Sequence, residues 1–203
     1  MKISISILSS NDIKNDIKKI NVSDVDYIHL DIMDGRLVNN TSFSYDDLKD
    51  FTFKKPLDVH LMVLEPESYI DDFSKLNPEF ITIHKGINNF FQYNKYIKEK
   101  GIKFGVAINP DEKIEDLFPY LKEIDLVLIM SVFPGFGGQK FIEDSINRIK
   151  KLKDYIKVNN LKCLVEVDGG INNKTSKLVD ADMTVSGSYL IEDLNRIKLL
   201  KER

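Results

Sequence analysis

Short apolar runs and amphipathic stretches alternate along the whole chain. The strand-like runs fall at Lys2–Leu8, Tyr27–Met33, Leu57–Val63, Phe80–His84, Lys103–Asn109, Leu126–Met130, Lys162–Val167 and Met183–Ser186. In several of them polar residues recur at every second position, so they share one face of the strand. Tyr27, His29, Asp31 and Met33 oppose Ile28, Leu30 and Ile32. Asp58, His60 and Met62 oppose Val59, Leu61 and Val63. Ser4 and Ser6 oppose Ile3, Ile5 and Ile7, while Glu166 and Asp168 oppose Val165 and Val167. Between the runs the period changes to that of a helix. The clearest case spans Phe141–Val158, where Ile142, Ile146, Ile149, Leu152 and Ile156 form one apolar stripe. A second helix opens at Pro66, suited to a first turn, and carries Tyr69, Ile70, Phe73 and Leu76. A third, Phe90–Lys100, stops at Gly101.

Strict strand–helix alternation implies a parallel sheet. Eight such units in 203 residues predict a closed eight-stranded parallel β/α (TIM) barrel, one catalytic domain over residues 1–203. The competing architecture is an open doubly wound sheet. There both sheet faces are covered by helices, and strands read as continuous apolar runs. Strands with one polar face fit a barrel interior better. The last helix, Asp193–Arg203, is short.

Composition narrows the partners. With 42% hydrophobic and 30% charged residues the chain is of globular type, and a net charge of −3 gives no support to a nucleic-acid partner. Cys163, the only cysteine, lies in an apparent strand and forms no disulfide within the chain, which suits a reducing compartment. Met1 leads straight into ISISIL without a signal-peptide pattern. No run approaches the ~18 apolar residues that a spanning helix needs. A soluble, cytoplasmic protein with no membrane partner is expected.

His29 and Asp31 in HLDIMDG, His60 in DVHLMV and Asp168 in VEVDGG stand toward the ends of three strand runs, where barrels of this type place their active residues. Two neutral imidazoles and two carboxylates suit one divalent transition metal. The two carboxylates can also act as a pair of proton carriers. Asp58 and Glu166, one inward position deeper, are candidates to support the ligands. His84 ends its strand too, but nothing in the sequence pairs with it. The combination points first to a sugar-phosphate isomerase or epimerase.

Glycine-rich turns supply a phosphate cradle. In SVFPGFGGQKF, Gly135, Gly137 and Gly138 flank Phe136 and precede a helix start, so backbone N–H groups and the helix dipole can converge on an anion. Lys140 breaks a dinucleotide fingerprint, and no GK[ST] follows. Gly169–Gly170 and Ser186–Gly187–Ser188 follow the seventh and eighth strands, whose loops commonly hold phosphate in barrels.

The segments ISILSS, HLDIMDG, LDVHLMV, ITIH, GVAINP, LVLIMSVFPGFGGQKFI and VEVDGGIN together resemble the ribulose-phosphate 3-epimerases, from Ser4 to Ile191. The resemblance implies interconversion of D-ribulose 5-phosphate and D-xylulose 5-phosphate in the pentose phosphate pathway. It implies one divalent metal per chain held by His29, Asp31, His60 and Asp168, with zinc or iron foremost and manganese or cobalt compatible. Asp31 and Asp168 would move the C3 proton on opposite faces of the substrate, while the metal stabilises the charge of the enediolate. Ser6, His60, Met33, Met62 and Met130 would lie beside the substrate, and the family's self-association suggests a homo-oligomer. The chain departs from the family pattern at RLVNNTSF, at KG after ITIH and at LVDADMTV. Within the same class, an allulose 6-phosphate epimerase is the nearest alternative; Gly137, Gly138 and Gly170 favour the pentulose. A silent phosphate-binding barrel and a zinc hydrolase are weaker rivals, because all four ligand positions are filled and no leaving-group site is signalled.

Overall fold

Eight parallel strands close into a barrel in sequence order. They are β1 (Lys2–Ser6), β2 (Tyr27–Met33), β3 (Leu57–Met62), β4 (Phe80–His84), β5 (Lys103–Ile108), β6 (Leu126–Met130), β7 (Leu164–Asp168) and β8 (Met183–Ser186). The structure is a computed structural model and describes residues 1–202. The helices are α1 (Ile13–Ile20), α2 (Tyr45–Leu48), α3 (Glu67–Ser74), α4 (Tyr93–Lys98), α5 (Ser145–Val158), α6 (Ser188–Glu192) and α7 (Ile197–Lys201). The β5–β6 and β7–β8 crossovers carry 3-10 segments, Ile114–Tyr120 and Thr175–Lys177, instead of α-helices.

Several boundaries differ from the sequence reading. β7 begins at Leu164 and includes Asp168, so Cys163 lies just before the strand. There it is buried, and burial pushes its thiol pKa up to about 12. Pro66 caps α3 from outside, its carbonyl accepting the Ile70 N–H at 2.8 Å, and Leu76 falls beyond the helix end. The third helix is divided into a 3-10 turn, Phe90–Gln92, and α4. Gly101 follows at φ +77°. The last helix is split as well, into the 3-10 turn Leu194–Arg196 and α7; Arg203 lies outside the described residues. α5 starts at Ser145 rather than Phe141, and in the loop before it the Ile142 N–H donates to the Ser131 carbonyl at 2.8 Å.

The main core lies between the strands and the helices. Ile28, Leu30 and Ile32 of β2 and Val59 and Leu61 of β3 pack with Ile17, Ile20, Ile70, Phe73, Ile149 and Leu152 of the helices, all nearly solvent-free. Each such side chain contributes about 1.5–3 kcal/mol by leaving water. This apolar jacket consists of the outward positions of each strand. The inward positions form the barrel interior.

The register sorts the inward residues into levels supplied by alternate strands, as barrels of this kind do. The floor is Tyr27, Phe80, Leu126 and Met183, a separate apolar cluster. Above it come Ser4, Asp58, Gly105 and Glu166, then His29, Thr82, Leu128 and Val185. Next are Ser6, His60, Ala107 and Asp168, and the rim is Asp31, His84, Met130 and Gly187. Glycine is required at one inward place, because a Cβ on Gly105 would stand 2.1 Å from Thr82 Oγ1. The apolar residues thus occupy the floor, the β5–β6 side and β8, and the polar ones gather on β1–β4 and β7.

Candidate active site and cation-binding cluster

His29 lies in the middle of β2, one inward position below Asp31, rather than at the strand end. Because the strands are staggered, that depth places it beneath His60 and Asp168, in the same group. Each of the four residues offers a ligand atom to a cluster spanning no more than 4.8 Å between atoms. His29 Nδ1 is held by Asp58 Oδ2 at 2.6 Å, and Asp58 also accepts from Ser4 Oγ at 3.1 Å. The other ring nitrogen of His29, Nε2, is buried without a hydrogen-bond partner and stands 3.3 Å from Asp31 Oδ1. His60 Nδ1 lies 3.3 Å from the same oxygen. Ser6 Oγ donates to Asp31 Oδ2 at 2.6 Å and fixes the carboxylate plane.

A divalent cation fits this cluster. His29 Nε2 makes no hydrogen bond and, with Asp31 Oδ1 3.3 Å away, faces the centre of the cluster, as a ligand atom would. A two-imidazole, two-carboxylate donor set suits zinc, iron and similar ions. The electrostatics agree. Burial lowers the His29 pKa, but Asp58 and Asp31 overcome it and hold the ring well above 6.5, so the pocket favours positive charge at Nε2. Burial likewise opposes ionisation of Asp31, yet the charge of His29 first and the closeness of both imidazoles keep it well below the usual carboxylate range. Asp168 goes the other way. Burial first and the Asp31 charge second push it up to about 7. His60 is lowered, chiefly by burial. Beneath the cluster Glu166 is buried with neither carboxyl oxygen hydrogen-bonded, and burial and the Asp58 charge raise it well above the ordinary value.

Over the cluster opens a cavity of about 710 Å³. Its floor includes Ser6, Asp31 and Asp168, its walls Met33, Met62 and Met130, and its rim the turns at Gly169–Gly170 and Gly187–Ser188. Gly135, Phe136, Gly137 and Gly138 close the far side, with Phe136 60% exposed. His60 does not line the cavity. It is buried below, between Asp31 and His84, because β3 delivers it one level beneath the rim. The glycine loop also lacks the helix start expected beside it: α5 begins beyond Phe141, the last loop residue at the cavity, so its dipole does not end there. Instead α5 contributes Arg148, buried, whose guanidinium donates to the carbonyls of Asn109, Met130 and Glu112 and fastens the ends of β5 and β6. The Ser131 hydroxyl, 2.7 Å from the carbonyl oxygens of Asp168 and Gly169, ties β6 to β7.

Gly169 and Gly170 adopt φ +119° and +64°. A Cβ on Gly170 would lie 2.5 Å from the Phe141 backbone nitrogen, so the turn admits no side chain. Loops that the sequence left unassigned also reach the cavity. Ser9, Asn172, Thr175 and Tyr189 line it, and only Asn172–Thr175 had a local signal, an Asn and a Thr in turn spacing. After β2 the chain folds back over the mouth. Ser42 Oγ meets the Asp31 carbonyl at 2.5 Å, and Asn40 Nδ2 donates to the Gly135 carbonyl at 2.6 Å.

A closed parallel barrel whose mouth joins a histidine–aspartate cluster to a glycine-rimmed cavity defines a β/α-barrel enzyme with a site able to hold a metal ion. Residues 2–191 match the model of the ribulose-phosphate 3 epimerase family. Curated relatives agree. A Helicobacter pylori (strain J99) ribulose-phosphate 3-epimerase is 39% identical over 97% of this chain and 93% of its own length. The Bacillus subtilis enzyme of that name is 36% identical over 100% and 97%. The chain belongs to the ribulose-phosphate 3-epimerase family. A 3-hexulose-6-phosphate synthase from Salmonella typhimurium, 16% identical with a TM-score of 0.65 over 99% of this chain and 95% of its own, shares the barrel fold. Among the described residues no helix is long and apolar enough to cross a membrane.

Proposed function

We propose that the chain interconverts D-ribulose 5-phosphate and D-xylulose 5-phosphate, a step of the pentose phosphate pathway, by proton transfer at C3 between Asp31 and Asp168. The supporting observation is that two carboxylates reach one cavity floor in opposite electrostatic settings: in the metal-free protein Asp31 is held ionised and Asp168 is pushed up to about 7. Environments that drive two titratable groups apart assign one as base and the other as acid. In one direction Asp31 takes the proton from the carbon beside the carbonyl, and Asp168 returns a proton on the opposite face. In the other direction the roles exchange. A single base would return the proton to the face it came from and give no inversion.

His29, Asp31, His60 and Asp168 would hold the cation, zinc or iron first among the ions such ligands accept. When bound, it supplies Lewis-acid stabilisation of the negative charge left on the substrate as the proton departs. Ser6 orients Asp31 through its 2.6 Å hydrogen bond. Met33, Met62 and Met130 exclude water from the reacting carbon without competing hydrogen bonds. Backbone N–H groups of Gly169, Gly170, Gly187 and Ser188, with Gly135, Phe136, Gly137 and Gly138 opposite, take the phosphate. The buried, unreactive Cys163 suits a reducing, cytoplasmic setting.

Turnover of ribulose 5-phosphate in D₂O with metal-replete protein tests the reading. The product is expected to carry deuterium at C3, and Asp31→Asn and Asp168→Asn should each slow epimerisation by about 10²–10⁴-fold. Product without C3 deuterium from the wild-type chain overturns the two-aspartate reaction.

A further inference from the structure

We propose that His84 is a positioning residue for His60, accepting the His60 Nε2–H on its own Nε2 and so holding the tautomer that presents His60 Nδ1 to the cation. This rests on the reading of His60 as a metal ligand. The two Nε2 atoms lie 2.9 Å apart, both rings are buried, and the rings meet edge to edge, their planes inclined by 27° with centroids 5.0 Å apart. Two ring nitrogens at that distance share one proton: two N–H groups would collide, and two lone pairs would repel. The proton therefore sits on His60 or on His84.

The position of that proton decides what His60 can do. If it is on His60 Nε2, the neutral ring keeps its lone pair on Nδ1, the nitrogen 3.3 Å from Asp31 Oδ1 and facing the four-residue cluster. If His60 carries its proton on Nδ1 instead, an N–H points into the cluster and the ring cannot ligate. His29 meets the same requirement by different means, with Asp58 on Nδ1 leaving Nε2 for the cluster. A ligating histidine commonly has its second nitrogen fixed by such a partner, and loss of the partner weakens metal binding. For His29 that partner is a carboxylate. For His60 it is a third imidazole, which accepts the hydrogen bond without adding negative charge beside Asp31 and Asp168. The fold makes room for it, because His84 at the end of β4 stands opposite Ala107 in β5.

Nitrogen-15 NMR on histidine-labelled protein, with and without zinc, reads the tautomers directly. In the zinc-loaded protein His60 is expected as the Nε2–H form, with Nδ1 as the nitrogen whose resonance moves when zinc is added. Chelator competition should show zinc held about 10–100-fold more weakly by His84→Phe, which keeps a ring but has no acceptor. His84→Gln, whose Oε1 can reach the place of Nε2, should recover most of the loss. If the Phe variant does not fold, His84→Gln against the shorter His84→Asn gives the same comparison. Equal zinc affinity of wild type and the acceptor-lacking variant, or His60 protonated on Nδ1 in the zinc-loaded wild type, overturns the positioning role alone. Failure of zinc to bind the wild type overturns the ligand set and this role with it.

Discussion

Replacing Asp168 with Asn should stabilise the metal-free protein and destabilise the metal-loaded one. The carboxyl is raised from an ordinary 3.8 to about 7 in the folded chain, by burial and by Asp31. Below pH 3.8 the folded and unfolded states are both protonated, and this group costs folding nothing. As pH rises the unfolded chain releases its proton while the folded chain holds on, so stability falls until about pH 7. Three units at 1.36 kcal/mol each give about 4 kcal/mol, reduced to roughly 2–4 kcal/mol by screening at the partly open mouth. Asn cannot ionise and escapes this loss. Urea denaturation of chelator-treated wild type and variant should show the gap widening in favour of the Asp168→Asn variant by about 2 kcal/mol between roughly pH 5 and 7.5. With zinc at about a thousand times its Kd the wild type gains ~4 kcal/mol, and the variant, missing a ligand, should lose most of that. A gap that does not change with pH in the metal-free proteins would refute the electrostatic account of Asp168.

Asp58→Asn removes the charge 2.6 Å from His29 Nδ1 and should weaken zinc binding about 10–100-fold in a protein that still folds; unchanged affinity by chelator competition would show that Asp58 does not set His29. Gly105→Ala drives a Cβ against Thr82 Oγ1 and should cost about 1–3 kcal/mol in urea denaturation. Adding Thr82→Gly should restore most of it, and no recovery would mean the clash is relieved elsewhere. Asn40→Ala deletes the hydrogen bond to the Gly135 carbonyl, worth about 1 kcal/mol, so limited proteolysis within residues 132–140 should run about five-fold faster. Equal cleavage rates would place the control of that loop elsewhere.

The barrel was legible in the sequence because its signals are local. Alternation of strand and helix periods and polar residues at every second strand position do not depend on what packs against them. His29, Asp31, His60 and Asp168 could be picked out for the same reason, each lying on the polar face of a strand. Chain geometry then brings them together, since the polar faces of adjacent and facing strands all point into a closed barrel. The glycine turns were readable too, and Gly169–Gly170 occupy backbone conformations and tight contacts that exclude a side chain.

What remained hidden depends on pairings between distant residues. The start of α5 at Ser145 comes after a loop that a hydrogen bond from Ile142 to Ser131 holds back against the end of β6, a contact no sequence window contains. Whether His60 faces the cavity or lies under it depends on the stagger between β2, β3 and β4, not on its place in DVHLMV. His84 showed no partner in sequence because its partner is on the neighbouring strand, one level down. The amino-acid sequence therefore determined which residues point into the barrel, since side-chain direction alternates along each strand by covalent geometry. Only the tertiary structure decided which of those residues meet, because that is set by strand register, and register is fixed by hydrogen bonds and packing between segments far apart in the chain.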